Sequence, residues 1–169
     1  MLDAIAKRCS VRAYTSDPVS ESDLNAVLEA AFAAPSANNS RPWHVVVVTD
    51  AATRKTLATV HQWAGFCAQS PVVLAICAEE VASPHWWIED CSAVTENILI
   101  QAAALGLGTC WIGIRGGEGK GFEREEMVRS ALNLPAGIRC LCLISLGHPA
   151  SVPQPKTPGP MEHIHRESW

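Results

Sequence analysis

The sequence carries no excess of positive charge: 13 Lys and Arg stand against 17 Asp and Glu, a formal net charge of −4. A general nucleic-acid or anionic-membrane binder needs clustered positive charge, so both classes are excluded, and an anionic ligand must be met by a local cationic site. Long apolar runs are also missing. The longest, residues 98–114, is broken by Gln101, Gly106 and Gly108 and falls short of the roughly 20 residues of a membrane span. It reads as a buried helix running into a buried strand, and no membrane partner is expected. With no long linker, internal repeat or low-complexity tract, one domain is expected over residues 1–169. At 48% hydrophobic residues there is material for a core, and wholesale disorder is excluded. The N-terminal MLDAIAKRCSVR lacks the basic, apolar and small-residue order of a signal peptide. Seven cysteines, an odd number, sit mostly in apolar runs, where a thiol packs as a small hydrophobe. A reducing, cytoplasmic setting with free thiols is expected.

Several familiar motifs fail on spacing. The glycine-rich residues 116–121 are not a phosphate loop, because Ile114 stands where glycine is required and Gly121 follows Lys120 in place of Ser or Thr; a surface turn is expected there. Gly106-Leu107-Gly108 would need a third glycine at Trp111 to bind a dinucleotide. Cys140 and Cys142, expected on one face of a strand, have no second Cys or His pair at zinc-site spacing, and His85, His148, His163 and His165 share no spacing rule, so core packing is favoured over a metal. No Gly-x-Ser-x-Gly elbow marks a serine nucleophile.

Periodicity places helices over residues 2–8, 21–33, 51–66, 87–105 and 123–132. Ser20 and Asp23 open the second, and Gly106 and Gly108 stop the fourth. Strands are expected at 43–48, 71–77, 109–114 and 139–146, the first (WHVVVV) and second buried on both faces. This mixture indicates an α/β or α+β sandwich. The tail, residues 147–169, holds five prolines and anchors only at Met161, Ile164 and Trp169, so it is expected to extend over another surface, such as a second subunit.

Three constellations carry chemistry. In Arg8-Cys9-Ser10-Val11-Arg12 two guanidiniums flank a hydroxyl, a donor set matched to one phosphate group; a solvated turn is the alternative. Residues 35–43, Pro-Ser-Ala-Asn-Asn-Ser-Arg-Pro-Trp, let a ligand approach the backbone and offer donors and acceptors at Ser36, Asn38 and Asn39 to the polar edge of a heteroaromatic ring; a capping turn is the alternative. Residues 106–113 expose backbone amides after a helix stop, with Trp111 as apolar contact area.

In this order, together with the helix over residues 90–105 and Leu146-Gly147-His148-Pro149, these segments resemble the FMN-dependent nitroreductase family over essentially the whole chain. The resemblance implies an α+β sandwich with a central, mostly antiparallel sheet flanked by helices, a homodimer with the C-terminal tail laid on its partner, and FMN in each of two interface pockets. Arg8, Ser10 and Arg12 would hold the phosphate and ribityl chain, with the backbone of Cys9. Pro35, Ser36, Ala37 and Asn39 would line the flavin ring from the other subunit, and Trp111, Ile112 and Gly113 would contact the ring and ribityl side. Lys156 matches one of the family's two tail cations, but Pro158 replaces the other, an Arg. Charged hydrogen bonds contribute roughly 1.5–3 kcal/mol each, so weaker FMN binding, or replacement by Thr157 and a backbone amide, is the expected consequence. The family's long lid has no room between residues 77 and 87; Trp86 and Trp87 either close the pocket or pack in the core. The implied activity is an oxidoreductase taking hydride from NAD(P)H and reducing nitroaromatics, quinones or similar electron-poor acceptors by a ping-pong cycle, with flavin N5 and no side chain as the reacting group. The alternatives are a non-catalytic FMN carrier or sensor, or a Cys/His metal-binding protein.

Overall fold

The computed structural model describes residues 1–115, 120–154 and 157–169. Its centre is a four-stranded antiparallel sheet of β1 (Trp43–Val48), β2 (Val72–Glu79), β3 (Gly108–Gly113) and β4 (Ile138–Gly147), in the order β1-β2-β4-β3. Helices α2 (Glu21–Phe32) and α4 (Trp87–Ala104) cover one face, α3 (Ala51–Leu57) and α5 (Lys120–Leu132) the other, and α1 (Asp3–Lys7) packs against α4. Alternation along the strands feeds two cores: Leu74, Ile76 and Ile144 meet Val27, Val94 and Ile98 on one face, while Val73, Ala75 and Leu143 meet Leu57, Val60 and Val128 on the other.

Local chemistry explains most boundaries. Ser20 caps α2 by accepting from the Asp23 N–H at 3.1 Å, and Gly106, at φ +76°, ends α4 in a conformation that costs a side-chain residue. Three expectations are corrected. β1 is an edge strand with His44 and Val47 exposed, not buried on both faces, because among the described residues only β2 pairs with it. The helix expected over 51–66 stops at Leu57, where the Thr59 hydroxyl donates to the Thr56 carbonyl at 2.8 Å, and only a short 3-10 turn, Gly65–Ala68, follows. α5 begins at Lys120, so Lys120 and Gly121 belong to a helix rather than the expected turn; residues 116–119 of that turn lie outside the described residues.

A β-bulge gives the fourth correction. The β2–β4 register shifts between Ile76 and Cys77, so that Ile76 faces Cys142 while Cys77 faces Cys140. The extra residue turns the strand over: Cys142 joins one core and Cys140 the other, instead of sharing a face. All seven thiols are free and six are buried. Among the described residues, no three or more His, Cys, Asp or Glu side chains come together as a metal site, and no helix is long and apolar enough to cross a membrane.

One partly buried ion pair ties β4 to the helices. The guanidinium of Arg139 donates to both oxygens of Glu125 (2.7 and 3.0 Å) and to Glu80 (2.7 Å), and lies 5.0 Å above the Trp87 ring. Glu125 also accepts from the Cys140 N–H at 2.9 Å. Desolvation alone would raise the pKa of Glu125, but the bonds from Arg139 and Cys140 outweigh it and hold the carboxyl below its ordinary range. Trp87 is thus a core residue, 3% exposed, whereas Trp86 is open to solvent.

Candidate active site

Residues 8–15 cross from the free edge of β3, met at Ser10 and Val11, to the residues that follow β4. Ser10 forms a parallel bridge with Thr109, and the Val11 N–H donates to the Thr109 carbonyl at 2.8 Å. Tyr14 clamps the same segment from behind: its hydroxyl donates to the Val11 carbonyl (2.7 Å) and lies 2.6 Å from the Ser145 hydroxyl in the sheet interior. Burial pushes the Tyr14 phenol well above its usual range, so it remains a donor at all ordinary pH. Backbone bonds from Thr15 N–H to the His148 carbonyl and from Ala150 N–H to the Ala13 carbonyl, both 3.0 Å, fasten the start of the tail to this segment.

The segment leaves its polar groups beside two cavities. Arg8 and Cys9, with Lys7, Val11, Ala103, Gly106, Leu107, Thr109, Val152 and Pro153, line a partly enclosed cavity of about 260 Å3. Arg12 opens onto a second, about 480 Å3, whose other walls are Gln62, Trp63, Gly65 and Phe66. Ser10 and Arg12 both lie close to Cys110: burial raises that thiol's pKa, and the guanidinium and the hydroxyl oppose the rise. Gly108 permits the close approach of Val11. A Cβ on it would sit 2.8 Å from the Val11 Cβ and Cγ1, atoms fixed to a bonded backbone. Gly108→Ala is therefore expected to lower stability by about 1–3 kcal/mol through overpacking, read as a drop in thermal midpoint of roughly 2–12 °C; an unchanged midpoint would contradict the packing described.

The loop expected to address a ring lies between α2 and β1. Pro35, Ser36 and Ala37 line a third cavity of about 320 Å3 with Trp86, Glu89, Asp90 and Ala93. Asn38, Asn39 and Arg41 all have left-handed backbone (φ 52°, 54° and 48°), a conformation that costs about 1 kcal/mol or more per side-chain residue. Asn residues tolerate it best, and two of the three are Asn. Ser36 accepts from the Arg41 N–H at 2.9 Å, and Asn39 accepts from the Arg41 Nε at 3.0 Å. In this loop the Ser40 hydroxyl is buried without a hydrogen-bond partner among the described residues.

The third segment divides by strand alternation. Trp111 (37% exposed) and Gly113 face outward on β3, and a Cβ on Gly113 would meet nothing within 4 Å; the Ile112 side chain points into the core, which leaves only its backbone for a ligand. Lys156 lies outside the described residues. These three cavities share no lining residue: the arginine segment lines two of them and the ring loop the third. A roomier cavity of about 900 Å3 along α5 holds none of the residues expected from sequence. Gln62, Trp63, Phe66 and the anchoring role of Asp90 escaped the sequence reading, whereas Trp86, expected either to close the pocket or to pack in the core, lines the cavity of the ring loop. An aromatic pair in the stretch HQWAGF was the available signal for Trp63 and Phe66, hidden by the expectation of a continuous helix.

An α+β sandwich with a strapped arginine segment on an edge strand defines a protein class, and comparison with known proteins assigns it. The Nitroreductase family model matches residues 5–64 and 60–148, and the chain belongs to that family. It is 33% identical to an NADH dehydrogenase of Thermus thermophilus over 95% of this chain and 92% of that protein. It is 26% identical to the FMN reductase (NAD(P)H) of Bacillus subtilis over 100% of this chain and 74% of that one. Among solved structures, an FMN-dependent nitroreductase from Clostridium difficile superposes with a TM-score of 0.93 at 28% identity, covering 100% of both chains.

Proposed function

We propose that this chain is an FMN-dependent oxidoreductase that draws reducing equivalents from NAD(P)H and passes them to electron-poor acceptors such as nitroaromatics or quinones. The observation that carries the reading is the Arg8–Arg12 segment, held on β3 at Thr109 and by Tyr14, so that two guanidiniums and a hydroxyl are presented by rigid backbone. The residues fit the cofactor. The cavity at Arg8 is small and cationic, as a phosphate requires, and the ring loop contains a buried hydroxyl, Ser40, still lacking a partner among the described residues.

In this reading residues 1–169 act as one domain and two copies form a homodimer. Arg8 and Ser10, with the Cys9 backbone and Lys156, bind the phosphate and ribityl chain. Arg12 places its positive charge toward the second cavity, where it favours electron density on a ring. Trp111, the Ile112 backbone and Gly113 flank the ribityl side, and Pro35, Ser36, Ala37 and Asn39 of the partner subunit close over the ring. That division accounts for the separate cavities of a single chain. The flavin, when bound, supplies two-electron transfer between a nicotinamide and an acceptor that occupy one face in turn, a ping-pong order. The protein's part is to bind, orient and shield. The free thiols, six of them buried, support a reducing, cytoplasmic setting.

The test is the absorbance spectrum of purified protein, reconstituted with FMN if colourless, before and after NADH or NADPH. A flavin band that bleaches within seconds is expected. Protein that neither retains nor takes up FMN overturns the reading, and bound flavin that neither nucleotide reduces makes the chain a carrier instead of an enzyme.

A further inference from the structure

Asp90 is a buried carboxylate, 4% exposed, in the first turn of the 18-residue helix α4. No cation lies within ion-pair distance of it among the described residues. Its two oxygens are used for one purpose each. Oδ1 accepts the Ala37 N–H at 2.8 Å, and Oδ2 accepts the Ser83 hydroxyl at 2.7 Å. Ser83 is itself 4% exposed, and its carbonyl accepts the N–H groups of Trp86 and Trp87 as α4 begins. A charge kept out of water with so few partners is costly, and the positive end of a helix dipole offsets only part of that cost.

What the carboxylate fixes is the ring loop. Ala37 stands directly before the left-handed residues Asn38 and Asn39. The bonds from Arg41 to Ser36 and Asn39 are internal to the loop and exposed, so they do not attach it to the body of the protein. Its attachments are the Asp90 oxygen at Ala37 and, at the far end, the Pro42 carbonyl accepting the Glu79 N–H at 2.8 Å. A backbone that does not favour its own conformation is held where an outside partner over-determines it.

We infer that Asp90 is a positioning residue that orients the Pro35–Arg41 loop for the flavin ring, acting through the Ala37 N–H. This rests on the function proposed above. It assigns the loop's geometry to one carboxylate on α4, with Ser83 orienting that carboxylate in turn.

The test is equilibrium titration of FMN and of riboflavin against the wild type, Asp90→Ala, Asp90→Asn and Ser83→Ala, with the absorption band of bound flavin and the far-ultraviolet circular dichroism recorded for each. Asp90→Ala is expected to weaken both flavins by the same factor, about tenfold or more, the loss of one charge-assisted bond. The ratio of FMN to riboflavin affinity stays unchanged, and the flavin band shifts. Asn keeps an oxygen for Ala37 and an amide for Ser83, so Asp90→Asn restores affinity to within about threefold. Ser83→Ala, which leaves the Ala37 bond but frees the carboxylate, gives a smaller loss in the same pattern and decides the matter if Asp90→Ala does not fold. Folded variants with wild-type affinity and band shape, or an Asn variant as weak as the Ala variant, overturn the inference. Failure of the wild type to bind either flavin rejects the proposed function instead.

Discussion

Arg8→Ala is expected to weaken FMN binding about 10- to 150-fold. A charged hydrogen bond contributes roughly 1.5–3 kcal/mol when one partner is ionised, and each 1.4 kcal/mol is a factor of ten in affinity. The site amplifies the loss because the cavity at Arg8 is partly enclosed, with Val11, Leu107, Val152 and Pro153 among its walls, so the phosphate cannot simply turn to water. Arg8→Lys should recover only part of the affinity: an ammonium keeps the charge but cannot present the planar fork that meets two phosphate oxygens. Arg12, facing a different cavity beside Trp63 and Phe66, should behave differently from Arg8, with its loss felt by riboflavin as well as by FMN. Titration of flavin fluorescence for the variants, on folded protein, checks both statements. Equal losses of FMN and riboflavin in Arg8→Ala would contradict the assignment of phosphate to that cavity.

The second large effect is on stability. Arg139→Met removes the partner of Glu125, 6% exposed, and leaves a buried carboxylate with only the Cys140 N–H. Breaking such a pair from one side costs about 3 kcal/mol, the low end for a buried pair because the Arg139 side chain is 22% exposed, still a large part of the 5–15 kcal/mol typical of a whole domain, and lowers the thermal midpoint by roughly 6–12 °C. The pH dependence has a definite sign. In the wild type the folded-state pKa of Glu125 is depressed, so this pair's contribution is present above the ordinary carboxylate range and is lost as pH falls through the lower folded value. In Arg139→Met, Glu125 is desolvated without its cation and favours its protonated form, so the variant's deficit against wild type shrinks as the solution is acidified. The double variant Arg139→Met with Glu125→Leu should regain most of the loss, because the buried carboxylate is gone and the one left without its partner, Glu80, is 41% exposed and can turn to water. A deficit independent of pH, or a double variant no better than the single, would show that Arg139 acts through its contact with Trp87 and not through the ion pair.

Much of the architecture was legible because burial leaves a periodic signature. Trp87, Cys91, Val94, Ile98 and Ala102 mark the inner face of α4, and the apolar runs of β2 and β4 follow from their central places in the sheet. What escaped depended on pairing at long range. An apolar run like WHVVVV does not say that it will lie at an edge, and nothing near Cys140 announces the bulge that sends its thiol and that of Cys142 to opposite cores. The arginine segment was readable as a donor cluster, but its rigidity comes from Thr109 and Ser145, roughly a hundred residues or more away in the chain. The ring loop was readable as polar and small; its anchor, Asp90, sits 53 positions downstream on a helix whose inner face looks purely apolar apart from that residue and Thr95. The division of labour among Trp111, Ile112 and Gly113 needed only the alternation of a strand, once its register was known.

The measurement that reaches the centre of this account is the affinity of the unmodified protein for FMN beside its affinity for riboflavin, which differs only in lacking the phosphate. If Arg8 and Ser10 grip that group, FMN binds about a hundredfold more tightly or better, the worth of two or more charged hydrogen bonds. Affinities for the two flavins within a few-fold of each other would mean that the arginine segment holds no phosphate.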